Sequence, residues 1–107
     1  MSSREIRHPA ASDLDLATIL RTVGDPVRLA IVQQLLDGDE RICTTLNESI
    51  DIPASTLSYH LRLLREAGVT RTRASGTERH VSVRRDDLER LFPGLLEVLA
   101  AKQPAGV

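Results

Sequence analysis

The chain has 107 residues, a hydrophobic fraction of 41%, an aromatic fraction of 2% and a formal net charge of −1. That length fits one domain, so few rings leave a core of Leu, Ile, Val and Ala, and the charge excludes a uniformly basic nucleic-acid coat. No apolar run suffices for a membrane span, and the stretch with Arg4, Glu5, Arg7 and His8 lacks the apolar centre of a signal peptide, so a cytoplasmic location is expected.

Residues 1–12 hold Ser, Arg, His and Pro without periodicity and are expected to form a mobile arm, with His8 solvated. A first helix is expected over residues 13–23, with Asp13 as N-cap. Leu14 and Ala17 lie on one side of it and Leu16, Ile19, Leu20 and Val23 on the other, so it must meet two neighbours, one of them a second subunit. Gly24-Asp25-Pro26 is a boundary: Asp25 caps, and Pro26 fits a first turn that needs no amide donor. The second helix then reaches about residue 36, burying Leu29, Ile31, Val32, Leu35 and Leu36, and Gly38 ends it. A polar loop over residues 37–41 leads to a short helix at 42–49, with Ile42, Cys43 and Leu46 inward.

Asp51-Ile52-Pro53 makes a turn, and residues 55–68 read as a helix with two different sides. Leu57, Leu61 and Leu64 form an apolar stripe, while Ser55, Tyr59, Arg62 and Glu66 point outward with Thr56 and Ser58 on the flanks. Gly68 stands where a left-handed stop is needed. Residues 69–74 and 78–84 alternate around a Ser75-Gly76-Thr77 turn and form a β-hairpin. Thr70 and Thr72 share one face of its first strand, and Val81 and Val83 one face of its second. A last helix opens at residues 85–87 with Asp86 as cap, and Pro93 kinks it or splits it in two. Residues 13–102 therefore make one domain, followed by a tail at 103–107.

A short helix, a tight turn, a longer helix with small hydroxylated outer residues and then a hairpin make a winged helix-turn-helix pattern. The fold class is mainly α with a two-stranded β-wing. Residues 55–85 hold seven Arg (62, 65, 71, 73, 79, 84, 85) against two Glu, a balance of +5; the seven basic and thirteen acidic residues elsewhere give −6. Positive charge is thus gathered where the pattern needs it. Ser55, Thr56, Ser58, Tyr59 and Arg62 are the candidates for contacting bases and phosphates from the long helix, and Arg71, Arg73, Thr77 and Arg79 for positioning the wing. Leu16, Ile19, Leu20, Val23, Leu88, Leu91, Phe92, Leu95, Leu96 and Leu99 are the dimerisation candidates. A homodimer suits a near-palindromic double-stranded DNA operator with half-sites roughly 34 Å apart.

Two segments resemble the ArsR/SmtB-type transcriptional repressors over about residues 13–100. Asp25-Pro26-Val27-Arg28-Leu29-Ala30-Ile31-Val32 is similar to their D-P-x-R-x-x-I-[LV] segment, and residues 55–69 to their S-T-[VL]-S-x-H-L-x-x-L-x-x-A-G-[LV] recognition segment. The resemblance implies a winged-helix homodimer that represses its own operon and releases DNA when an effector binds. It also implies that Asp25, Arg28 and His60 are structural. Many members sense thiophilic metals through C-x-C; here the matching stretch, residues 40–46, has only Cys43. Others bind zinc through Asp, His and Glu of the last helix, which here has no His. The usual metal sites are therefore absent or degraded, and Cys43 is either a small core residue or a thiol sensor. A nickel or zinc site from Cys43, His8, His60 and His80 has no motif spacing behind it. The alternative to a self-sufficient repressor is a DNA-binding subunit whose effector is sensed by a separate partner protein. An enzyme is discounted, since no catalytic constellation stands at a credible spacing and the Asp86-Asp87 pair is explained by the helix dipole.

Overall fold

The computed structural model describes residues 6–102; residues 1–5 of the expected arm and the expected tail at 103–107 lie outside them. Asp15, not Asp13, caps the first helix, α1 (Leu16–Val23): its carboxylate accepts from the Thr18 amide at 2.9 Å and the Thr18 hydroxyl at 2.8 Å. Asp13 ends a single 3-10 turn, Ala11–Asp13, and Leu14 is extended. Leaving the helix lets Leu14 pack over Gly68, at the far end of the long helix that follows the turn.

The second helix, α2 (Pro26–Leu36), begins as its sequence dictates. Asp25 Oδ2 accepts from the amides of Val27 at 2.9 Å and Arg28 at 3.0 Å, two donors that a helix start otherwise leaves orphaned. Those bonds, the Arg28 amide first, hold the Asp25 carboxyl below the usual carboxylate range. Ile31, Val32 and Leu35 of α2 are buried with Ile19 and Val23 of α1.

The loop expected at 37–41 is not wholly a loop. Arg41–Ile42 form a short strand, β1, which a two-residue length hides from any periodicity. Helix α3 (Cys43–Ile50) follows and ends on Asp51 in the left-handed region, at φ 59°. The Asn47 side-chain amide donates to the Ile52 carbonyl and closes the turn into α4 (Ala54–Glu66). Gly68 ends α4 at φ +85°, with its amide donating to the Arg65 carbonyl at 3.0 Å and the Val69 amide to the Leu64 carbonyl at 2.9 Å. These two bonds are a Schellman motif.

Strands β2 (Thr70–Ser75) and β3 (Glu78–Val83) form the hairpin, turning at Gly76, φ +60°, and Thr77. Strand β1 adds to β3, so the sheet has three antiparallel strands in the order β1-β3-β2 rather than the two expected. The register pairs Thr70 with Val83 and Thr72 with Val81, which puts all four on the face over the helices. Helix α5 (Arg85–Leu91) starts without a side-chain cap: Asp86 and Asp87 sit in its first turn, and Asp87 instead holds Arg84 at 2.9 Å. Asp86 is therefore not the cap. Pro93 and left-handed Gly94 split the last helix, and α6 (Leu95–Ala100) is tied to α2 by Gln33, whose amide donates to the Leu99 and Ala101 carbonyls at 3.1 Å. The buried apolar residues include no aromatic ring.

The described part of the arm is not simply solvated. His8 Nε2 accepts the Thr72 amide at 3.0 Å on the free edge of β2, and Arg84 Nη1 donates to the Pro9 carbonyl at 2.8 Å. An open strand edge presents unpaired amides, and the arm satisfies one. Burial, with the nearby charges of Arg65, Arg84 and Arg71, lowers the His8 pKa.

Two outcomes follow from these contacts. A Cβ at Gly68 would lie 2.0 Å from Leu14 Cδ2. Gly68→Ala should therefore destabilise by roughly 2–4 kcal/mol in chemical denaturation, from the left-handed backbone and the overlap together. In a Leu14→Ala background only the backbone part, about 1–2 kcal/mol, should remain; an equal loss in both backgrounds would show that Leu14 is not the obstacle. The His8 bond requires the neutral ring. Its lowered pKa means the unfolded chain binds the proton first, so the stability it adds is present above about pH 6.5 and is lost as pH falls below it. Hydrogen-exchange protection of the Thr72 amide, corrected for the intrinsic rate, should drop across that range. Constant protection from pH 7.5 to pH 5 would rule the bond out.

Candidate nucleic-acid interface

Helix α4 carries its apolar stripe as its spacing requires, with Leu57, Leu61 and Leu64 buried. His60 is buried with them and serves the fold. Arg28 Nη1 lies 3.2 Å from His60 Nδ1. Arginine only donates, so Nδ1 accepts and the ring proton sits on Nε2. The same guanidinium donates through Nε to the Thr22 carbonyl at 2.6 Å. The ring of Tyr59 stands edge-on to His60, centroids 5.3 Å apart, and Arg62 lies 5.7 Å from the Tyr59 centroid. Tyr59 remains half exposed, a wedge at the front of the helix.

Between α4 and the sheet lies an open cleft of about 580 Å³. Helix α4 supplies Ser55, Ser58, Tyr59, Leu61, Arg62 and Arg65; the sheet supplies Thr72 and Arg79; Cys43 stands at the start of α3. Among the described residues no carboxylate lines it. Thr56, expected among the contacts, is half-buried on the flank and does not line the cleft, and Thr77 stands exposed at the hairpin tip. Burial raises the pKa of the Cys43 thiol, and the nearby Arg79 charge only partly offsets this.

The wing arginines divide by strand alternation. Arg79 faces the cleft. Arg71 and Arg73 lie on the other face, where Arg71 pairs with Asp87 at 3.2 Å and Arg73 with Glu40 at 2.9 Å. Glu40 also accepts from His80 Nδ1 at 3.1 Å. Arg65 and Arg79 have no carboxylate partner among the described residues, while Arg62 meets Glu66 only at 3.8 Å with both side chains more than half exposed, a weak pairing. The sequence reading missed Arg65 and Thr72. Arg65 follows Arg62 at helical spacing, a signal that was available. Alternation puts Thr72 on one strand face with Thr70 but does not say which face is inner; the structure makes it the buried one, and that face runs out into the cleft.

The dimerisation candidates divide as well. Ile19, Val23, Leu88, Leu96 and Leu99 are buried within the subunit, and Leu91 is half-buried. Leu16 and Leu20 of α1 are 41% and 49% exposed, and with Phe92 and Leu95 they border a shallow apolar hollow. Val98 of α6, absent from the expected set, is 70% exposed at the same hollow. The four metal candidates do not converge: His8 holds the Thr72 amide, His60 lies under Arg28, His80 is on the wing and Cys43 in the cleft. Among the described residues no three His, Cys, Asp or Glu side chains are grouped to hold a metal ion, and no helix is long and apolar enough to cross a membrane.

A family pattern described as a helix-turn-helix domain matches residues 23–73. The chain is 40% identical over 84 residues to the HTH-type transcriptional regulator YceK of Bacillus subtilis, an alignment spanning 78% of this chain and 84% of that one. Its fold is similar to the homodimeric winged helix-turn-helix DNA-binding domain Mb0332 of Mycobacterium bovis, a possible ArsR-family regulator. There the TM-score is 0.67 and the identity 27%, over 94% of this chain and 90% of that one. It is also similar to the transcriptional repressor BigR of Xylella fastidiosa, with TM-score 0.63, 31% identity and coverage of 81% and 88%. The chain belongs to the ArsR-type winged helix-turn-helix transcriptional regulators.

Proposed function

We propose that this regulator is a homodimeric repressor that inserts the front of α4 into the major groove at each half of a near-palindromic operator. The observation that carries this is the cleft: hydroxyls, one exposed aromatic ring and unpaired arginines share one face, with no carboxylate among them. Small residues at the start of α4 let its backbone approach base edges, and the arginines beside them supply phosphate attraction. Ser55, Ser58, Tyr59 and Arg62 are the readout set, and Arg79 is the wing contact. Arg71 and Arg73 serve the wing mainly through their ion pairs. The reading is of a binding protein rather than an enzyme, working in the cytoplasm where the DNA is.

The dimer supports the same reading. Exposed leucines and a valine around one hollow on α1 and α6 are more apolar surface than a small domain leaves without a use. The Mycobacterium bovis relative is described as homodimeric. A two-fold contact there would set the spacing of the two α4 helices.

The test is an anisotropy titration of the protein against duplex from upstream of its own gene, with a scrambled duplex as competitor. Tight binding that the scrambled duplex does not remove is expected; equal competition by both would overturn the reading. In the same assay Arg79→Ala should lower the slope of log affinity against log salt by about one. Arg73→Ala should change that slope much less, and equal slopes for the two variants would contradict the division of the wing. Leu20→Glu should shift the protein to a monomer in analytical ultracentrifugation and weaken operator binding by at least tenfold, since a lone half-site loses its linked partner. A dimer that survives this substitution would place the interface elsewhere.

A further inference from the structure

We propose that His80 is a proton-operated clamp on the outer face of the wing. Uncharged, it holds Glu40 alone; protonated, it holds Glu40 and Glu78 together and ties the hairpin turn to the segment ahead of β1. Its side chain is 17% exposed, and each ring nitrogen faces a carboxylate. Nδ1 lies 3.1 Å from Glu40 Oε1, and Nε2 lies 3.5 Å from Glu78 Oε1. An uncharged imidazole carries one N–H, and an ionised carboxylate only accepts. One of the two contacts is therefore a bond, and the other sets a bare ring nitrogen against a negative oxygen. The shorter contact takes the hydrogen, so Nδ1 donates to Glu40 and Nε2 is the bare atom. A proton added at Nε2 turns the second contact into a charge-assisted hydrogen bond.

The charged neighbours of the ring are few. Arg73 stands directly across from it on β2 and holds Glu40 through Nε at 3.3 Å and Nη2 at 2.9 Å. Ile42, opposite on β1, is uncharged, and the helices lie over the other face of the sheet. Glu40 and Glu78 are the only carboxylates within 4.0 Å of the ring among the described residues. They stand at different ring nitrogens, so the three side chains do not converge on a metal ion. Two carboxylates thus meet one arginine, and the group is balanced only when the ring is charged. Glu78 carries the effect to the turn. It pairs with Ser75 to close the hairpin, and it precedes Arg79, the wing residue that lines the cleft. Protonation draws the Glu78 carboxylate back from the tip and adds one positive charge to the wing. The clamp stands on the ring geometry alone, whereas its effect on operator affinity rests on the regulator reading.

The test compares the full chain with Glu78→Gln, which removes the second carboxylate at a side chain 52% exposed and so spares the core. Histidines change charge between about pH 5 and pH 8, and the measurements span that range. Nitrogen-15 spectra of the ring, assigned with His80→Gln, should show the hydrogen on Nδ1 at about pH 8, the opposite of the form that Arg28 imposes on His60. On acidification the Glu78 carboxyl carbon signal should move together with the His80 ring signals. The amide order parameters of Gly76 and Thr77 should rise over the same range and stay flat in Glu78→Gln. A hydrogen on Nε2 at the alkaline end, or a Glu78 carboxyl that does not follow the ring, would overturn the clamp. In the anisotropy titration Glu78→Gln should bind operator duplex roughly two- to fivefold more tightly than the natural protein at about pH 7.5, and the gap should close towards about pH 5.5. His8 titrates in both proteins, so it cancels in this ratio. A ratio that does not change with pH would overturn control of DNA binding by the clamp and leave the regulator reading intact. Should the natural protein bind no DNA at all, the regulator reading fails, and the ring spectra alone decide the clamp.

Discussion

The fold turns on one side chain, Arg28. Its guanidinium joins three helices: it grows from α2, takes the Thr22 carbonyl in the last turn of α1 and meets His60 in α4. Asp25 prepares it by capping the turn from which it projects. Hydrogen bonds with an ionised donor contribute about 1.5–3 kcal/mol when partly buried, more than any exposed ion pair here can supply. Their larger effect is directional. Because arginine cannot accept, the His60 tautomer is set, and the ring edge against Tyr59 is set with it. The aim of the most exposed aromatic group on the recognition helix is therefore decided two helices away.

Much of this frame was legible in the sequence, because its signals are local. The stripe of Leu57, Leu61 and Leu64, the Asp25-Pro26 start and the glycine stop at 68 each lie within a few residues of what they control. The departures have physical reasons. Two aspartates, 13 and 15, offered caps, and the choice fell to the one that frees Leu14 to cover Gly68, a contact more than fifty residues distant in sequence. Strand β1 is too short to show alternation. Asp86 lost the capping role that its position suggested because α5 begins at Arg85, which puts buried Arg84 in the cap position two residues earlier. The arm has no pattern of its own, and its described part is held at His8 by the unpaired edge of β2.

Charge was the least legible property of the site. Counting formal charges places +5 in residues 55–85, but the structure brings acids from outside that window onto its far face. Glu40 reaches Arg73, and Asp87 reaches Arg71 and Arg84. Hydrogen bonding to those arginines lowers the pKa of both carboxyls, which favours their ionised, paired form. What survives is a smaller, directed field made by Arg62, Arg65 and Arg79 along one cleft. An almost neutral chain can attract DNA on this plan, because screening confines surface charges to about 8–10 Å and only the local balance acts on a phosphate. The acidic remainder then discourages the other faces from binding the same polyanion.

Helix α1 connects this field to the assembly. Its outer residues, Leu16 and Leu20, border the apolar hollow, while Ile19 and Val23 are sunk in the core and Thr22 receives Arg28. One eight-residue helix thus holds exposed apolar surface on one side and the bond to Arg28 on the other. In a two-fold repressor the half-sites are met at a fixed separation, and any slack between a dimer surface and the helix that reads DNA is doubled by the two-fold axis. A core built almost wholly of aliphatic side chains offers close packing but little direction. The polar joint at Arg28 supplies the direction that such a core lacks, which is why this polar side chain sits where three apolar helices meet.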